Sequence, residues 1–117
     1  MTVTEADIRW LVTRITALHD TDRIYLFGSH VRGEDHGASD IDLLIIGPSR
    51  IPRRHRGKNV AAALRSFSSK FDLLFYTAEE LDEELAQPLS FLSSVLRNSR
   101  LIYDRRDEPP LRIGPPS

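Results

Sequence analysis

The sequence contains no cysteine, and this absence removes several kinds of chemistry at once. Disulfide bridges, thiolate zinc sites and cysteine nucleophiles are all excluded. No apolar run approaches the roughly eighteen residues that a membrane-spanning helix needs. The first residues, Met1–Glu5, lack the basic and then apolar pattern of a signal peptide. We therefore expect a cytoplasmic protein with no membrane association.

The chain also lacks an excess of charge of either sign. Its formal net charge is −1, whereas a dedicated nucleic-acid binder usually carries a basic patch. We expect no direct nucleic-acid binding. A length of 117 residues, 40% of them hydrophobic and 28% charged, is typical of one globular domain. The end of the chain is polar and rich in proline. We predict a folded domain over residues 1–103 and a disordered tail or partner-binding arm over 104–117.

The spacing of apolar residues predicts an α/β fold. A helical period over Ile8–Leu18 gives an amphipathic first helix. Four short apolar runs are typical of strands, namely Arg23–Phe27, Ile41–Ile46, Phe71–Tyr76 and Leu101–Tyr103. Thr77 and Glu80 have the spacing of a capping box and predict a helix start. A further helix is expected from Pro88, with Leu89 on its apolar stripe. We expect a small mixed sheet of about four strands, with helices mainly on one face.

A second helix is expected to follow a loop that is dense in cations. Residues 49–57 hold four arginines and a histidine, and Lys58 opens the helix. Such a run is usually a solvated face, but it could also meet an acidic partner or lie beside a bound phosphate. Both interpretations stay open at this point.

The most informative motif joins a Gly-Ser turn to two alternating carboxylates. Gly28 and Ser29 end the first predicted strand, and after ten intervening residues Asp40-Ile41-Asp42 opens the second. On a strand, both carboxylates would point to one face, about 6 to 7 Å apart along the chain. Carboxylate oxygens of this kind suit Mg²⁺, which fills its other positions with water and phosphate oxygens. Ser and Asp are also common in turns, but two flanking strands favour the functional interpretation.

This pattern resembles the minimal nucleotidyltransferase family of the superfamily that includes DNA polymerase beta. The family motif is Gly-Ser, ten residues and Asp-x-Asp, and Arg32 within the span also looks like the family. Members carry a third carboxylate on a later strand, and Asp72 is assigned to it by strand order. The resemblance runs from about Ile8 to Tyr103 and implies the polymerase beta-like core, one or two Mg²⁺ ions and ATP as substrate.

Each motif residue can then be given a task. Gly28 would let the backbone approach a phosphate closely, and Ser29 would hold the terminal phosphates at a helix N-terminus. Asp40 and Asp42 would bind Mg²⁺. Asp72 would complete the metal site and help to deprotonate the incoming hydroxyl. Arg32 would clamp a phosphate, since its charge persists and its fork matches phosphate oxygens.

The resemblance also suggests a partner. Larger relatives append domains that hold an acceptor, whereas this chain spans little more than the catalytic core. Family members of this size look like the antitoxin of a toxin–antitoxin pair whose toxin is a HEPN ribonuclease. The implied reaction transfers AMP from ATP to a tyrosine of the toxin, and the added charge and bulk would silence the ribonuclease site. Two alternatives are a nucleotidyltransferase acting on a small molecule such as an antibiotic, and a non-catalytic antitoxin that acts by binding.

Overall fold

A four-stranded mixed sheet organises the molecule. The computed structural model describes residues 4–28, 41–65 and 71–107. The strands are β1 (Arg23–Phe27), β2 (Ile41–Ile46), β3 (Phe71–Tyr76) and β4 (Ser99–Asp104). They lie in the order β3-β2-β1-β4. β1 is antiparallel to both β2 and β4, whereas β2 and β3 are parallel. The predicted α/β class and four-stranded mixed sheet are confirmed.

Four helices in the described ranges cover the sheet. They are α1 (Glu5–Leu18), α2 (Lys58–Leu64), α3 (Ala78–Leu85) and α4 (Phe91–Arg97), with a 3₁₀ turn at Arg53–His55. A parallel pair of strands needs a crossover connection, and α2 lies on the one that joins β2 to β3. None of the helices in the described ranges is long and apolar enough to span a membrane.

The helices pack on both faces of the sheet, which differs from the expectation of one main face. α1 and α2 cover the first face, where their core residues meet those of the strands: Ile8, Leu11, Ile15, Val60, Leu64, Ile24, Leu26, Ile41, Leu43, Ile45 and Phe75. α3 and α4 cover the second face, where Leu81, Leu92 and Val95 meet Leu44 and Ile46. The physical reason lies in β2, whose last four residues are all apolar and all buried. A strand that is apolar on both sides requires cover on both sides.

The fourth helix begins after its N-cap Ser90, and not at Pro88 as the sequence predicted. The Ser90 hydroxyl accepts a hydrogen bond from the backbone N–H of Ser93 at 3.1 Å, which satisfies a donor that would otherwise be unpaired. The helix therefore begins at Phe91, and Leu89 is 95% exposed instead of lying on the apolar stripe.

The last described residues fold back on the start of β1. Asp104 closes β4, and the backbone N–H of Arg105 donates to the carbonyl of Asp22 at 2.8 Å. The Arg105 side chain is ion-paired with Asp20 and Asp22. The remainder of the predicted tail, 108–117, lies outside the described residues, so its disorder stays a prediction.

An ion pair between Arg56 and Glu80 joins the two helical layers around the outer strand. Arg56 precedes α2 on the first face, and Glu80 lies in α3 on the second. The guanidinium donates to both carboxylate oxygens of Glu80, at 2.6 and 3.1 Å, and to the carbonyls of Phe75 and Ile51. The Arg56 side chain is only 7% exposed, so this member of the basic loop is structural.

Glu80 also closes the predicted capping box. Its carboxylate accepts from the backbone N–H of Thr77, and the Thr77 hydroxyl accepts from the N–H of Glu80. The hydrogen bond from Arg56 is the main cause that lowers the pKa of Glu80 to about 2. The capping box was predicted from the sequence. Its contact with Arg56 was not, because Arg56 is distant along the chain.

We expect Glu80→Gln to lower the free energy of unfolding by about 2 to 3 kcal/mol, because it leaves the buried guanidinium without a charged partner. Urea unfolding monitored by circular dichroism measures the change. Glu83→Gln, on the exposed side of α3, is the matched control and should change little. Equal stability of the two variants would contradict a structural role for the pair.

The same ion pair predicts the acid side of the stability profile. The pKa of Glu80 lies well below its usual range when the chain is folded, so its contribution is complete above the unfolded pKa of about 4.3. That contribution is lost as the pH falls from there toward 2. Unfolding midpoints measured across this window should fall more steeply for the natural protein than for Glu80→Gln. Parallel curves would show that Glu80 does not carry the effect.

Candidate active site

Three of the predicted site residues meet at one end of the sheet. Phe27, the last residue of β1, pairs with Asp42 across the antiparallel strands, and Gly28 follows it at the same end. Asp42 is in register with Asp72 across the parallel pair of β2 and β3. The strand order therefore brings together residues that are separated by up to 44 positions in the sequence.

The two carboxylates share a face of the sheet. Side chains alternate along a strand, so Asp42 lies on the side of Leu44, and Asp72 on the side of Leu74, both of which join the second core. Neighbouring strands are about 4.8 Å apart, so the carboxylates are within reach of one shared ligand. Asp42 is half-buried and Asp72 is exposed. One acid is thus held within the fold while the other is open to an incoming group.

Gly28 has a backbone conformation and surroundings that favour glycine. Its φ is +86°, in the left-handed region that residues with a Cβ rarely adopt. A Cβ at this position would overlap Oδ2 of Asp42. We expected glycine here for close approach to a phosphate. The structure gives a second reason, because the Asp42 carboxylate occupies the space that a side chain would need.

The other predicted residues lie outside the described part of the chain. Ser29, Arg32 and Asp40 all fall within residues 29–40, so their roles stay predictions. Among residues 4–28, 41–65 and 71–107, no three His, Cys, Asp or Glu side chains form a group that could hold a metal ion. The predicted metal-binding set includes Asp40 and so cannot be complete within these ranges.

The residues that are described fit a divalent metal of the magnesium type. Asp42 and Asp72 supply hard oxygen ligands from adjacent strands, and Mg²⁺ commonly takes only one or two protein carboxylates. The missing Cβ of Gly28 leaves the room in which the Asp42 carboxylate lies.

A groove of about 430 Å³ runs beside Asp72, between α2 and the outer strand β3. Its lining includes three cations, Arg56, Lys58 and Arg65. The sequence singled out the first two as part of a basic loop. Arg65 was not predicted as part of this groove, because it reaches the groove only through the path of α2.

The chain belongs to the polymerase beta nucleotidyltransferase family. The family model described as Polymerase beta, Nucleotidyltransferase matches residues 12–108, which is most of the chain. This confirms the expected superfamily and identifies the protein as a nucleotidyltransferase of the polymerase beta-like fold. A comparison with curated protein sequences gives no match.

Several solved structures share this fold. A toxin–antitoxin crystal structure with AMP-PNP has 19% identity and a TM-score of 0.64, over 86% of this chain and 77% of that chain. A toxin–antitoxin MntA–HpeT mutant with two Asp-to-Glu changes has 17% identity and a TM-score of 0.60, over 86% and 75%. A tri-AMPylated Shewanella oneidensis HEPN toxin in complex with MNT antitoxin has 16% identity and a TM-score of 0.56, over 87% and 73%. At these identities the likeness establishes the fold.

We expect Gly28→Ala to reduce nucleotidyl transfer about 100-fold, because the new Cβ displaces the Asp42 carboxylate and small displacements of reacting groups are costly. The left-handed backbone should also cost about 1 to 2 kcal/mol of stability. Steady-state transfer rates and urea unfolding measure the two effects separately.

Gly28→Asn separates the two causes, since asparagine tolerates a positive φ better than alanine but still carries a Cβ. We expect it to recover part of the stability and none of the transfer rate. Recovery of transfer in Gly28→Asn would show that backbone strain, and not displacement of Asp42, is what the alanine variant suffers.

Proposed function

We propose that this nucleotidyltransferase uses ATP and Mg²⁺ to transfer AMP to a hydroxyl, most simply that of a tyrosine, on a partner protein. The observation that carries the proposal is the in-register pair of Asp42 and Asp72 beside the Gly28 turn. Two carboxylates on adjacent strands suit a metal-assisted phosphoryl transfer. The proposal locates the reaction in the cytoplasm, where ATP is available.

The residues of the chain divide the work. Gly28, Ser29 and Arg32 hold the terminal phosphates of ATP. Asp40 and Asp42 provide the carboxylates that would bind the metal. Bound Mg²⁺ would supply positive charge to the phosphate oxygens. Asp72, the exposed acid, accepts the proton of the acceptor hydroxyl.

The reaction is a single displacement at the α-phosphorus of ATP. The acceptor oxygen forms a bond to the α-phosphorus of ATP while the bond from that phosphorus to the bridging oxygen breaks. The products are the AMP ester of the acceptor and pyrophosphate, and the acceptor proton passes to Asp72.

The proposed partner is a HEPN toxin, and the chain is its antitoxin. Support comes from the neighbours in fold, which include an MNT antitoxin in complex with a tri-AMPylated HEPN toxin and a toxin–antitoxin with AMP-PNP. Joining AMP to a ribonuclease adds negative charge and bulk, and both would oppose RNA binding at the modified site.

The first experiment follows labelled AMP. The purified protein, Mg²⁺ and α-phosphate-labelled ATP are mixed with lysate of the host, and proteins and small molecules are then separated. We expect one labelled protein band, whose modified residue is identified by mass spectrometry. Label in a small molecule and in no protein would contradict the proposal and favour the small-molecule alternative. Absence of transfer with ATP bound would favour neutralisation by binding.

Variants of the acids test the assigned roles. Asp42→Asn and Asp72→Asn should each lower transfer by about 100-fold or more, because each removes charge from the reacting centre. Asp72→Asn should still bind ATP, which equilibrium binding measures directly. Asp82→Asn, an exposed acid on α3, is the matched control and should retain full activity. Full transfer by Asp72→Asn would remove that residue from the proposed mechanism.

A further inference from the structure

The groove between α2 and β3 lies on the side of the acids from which an acceptor has to arrive. The strand order puts Gly28, at the end of β1, on one side of Asp42, and β3 with its outer edge on the other. In an in-line displacement the attacking and leaving oxygens are on opposite sides of the phosphorus. If pyrophosphate leaves toward the Gly28 turn, the attacking hydroxyl comes from the β3 side.

The shape of the groove fits an extended chain. β3 is the terminal strand of the sheet, so its outer edge has no strand partner among the described elements. Phe71, Leu73 and Phe75 line the groove from the face that α2 covers, and Asp72 between them also lines it, so the groove reaches the outer edge of β3. Edge strands of this kind accept an added peptide strand through main-chain hydrogen bonds. The five residues from Phe71 to Phe75 span about 17 Å.

The charge of the groove is set by Lys58 and Arg65. Both side chains are exposed, and neither is ion-paired with any carboxylate in the described ranges. Arg56, the third cation, is already engaged by Glu80. Gly57 lies against the Phe75 ring, so α2 starts at that end of β3 and Arg65 lies toward the Asp72 end. Lys58 and Arg65 therefore flank a path that leads to the proposed base.

We propose that this groove binds an extended, acidic segment of the acceptor protein, and that Lys58 and Arg65 hold the segment with its hydroxyl beside Asp72. Side chains of an added strand alternate between the two faces of the sheet. The acidic ones would meet Lys58 and Arg65 on the α2 face, and the hydroxyl-bearing side chain between them would point to the face of Asp72. The inference rests on the proposed transfer of AMP to protein, and it adds the chemistry by which that protein is recognised.

Peptide binding tests the groove without requiring transfer. The probe is a fluorescein-labelled peptide of about six residues, the length that spans the strand edge, with one tyrosine flanked by glutamates. Versions with glutamine or lysine in place of glutamate are its controls. Fluorescence anisotropy with the full-length protein should show the glutamate peptide binding about tenfold more tightly than the glutamine peptide, as two exposed ion pairs would give.

Charge reversal supplies the decisive comparison. The double variant Lys58→Glu, Arg65→Glu should lose the preference for the glutamate peptide and gain one for the lysine peptide. Arg14→Glu with Arg97→Glu makes the same change in net charge on exposed residues of α1 and α4 and should behave as the natural protein. If thermal melting shows that the reversed variant is unfolded, the double variant Lys58→Gln, Arg65→Gln replaces it. This variant should bind the glutamate and glutamine peptides equally.

Three outcomes separate the groove from the transfer reaction. Unchanged peptide preference in the folded double variant would overturn the groove, whatever the transfer activity. A loss of ATP affinity without a loss of peptide affinity would also overturn it, because the cations would then serve the nucleotide. A charge-dependent peptide complex in a protein that transfers no AMP would support the groove and reject the proposed function.

Discussion

The parallel pairing of β2 with β3 is the constraint on which the rest of the structure depends. It sets Asp42 opposite Asp72, and it does so across a crossover that passes through α2. Because side chains alternate along a strand, a shift of one residue in this register would send the two carboxylates to opposite faces. Both strands are apolar beyond their acids, so the two cores on either side of the sheet resist such a shift. The packing that stabilises the fold also fixes the separation of the acids.

Polar contacts reinforce this pairing at the far end of the strands. The guanidinium of Arg56 donates to the carbonyl of Phe75, near the end of β3, and to Glu80 on the opposite layer. The backbone N–H of Gly47, just after β2, donates to the carbonyl of Tyr76. Acids occupy one end of the parallel pair and a structural ion pair the other. Ligands can therefore bind at the end that holds the acids without breaking the contacts between the two helical layers.

The bounds of the strands were predicted more accurately than the packing and the ion pair around them. The bounds of β1, β2 and β3 agree with the apolar runs because those runs are short and dense, and each ends at a glycine or at the helix cap Thr77. Asp72 could be proposed because the family resemblance implies a third carboxylate and the strand order places it on β3. The Arg56–Glu80 contact could not, since its partners are 24 positions apart and neither residue type indicates burial. The helices of the second layer were predicted but their face was not, although the continuous apolar run in β2 indicates cover on both faces.

The shared space of Gly28 and Asp42 limits how this protein can change over time. The turn and the acid occupy one volume, so a side chain at position 28 would displace the carboxylate of Asp42. A lineage that keeps the acid is under pressure to keep the glycine as well. Loss of the acid removes one of the two constraints on position 28, whereas the positive φ persists after catalysis is lost. For an engineer, removing Asp42 opens a small void beside the turn, where asparagine, which tolerates a positive φ, could be introduced.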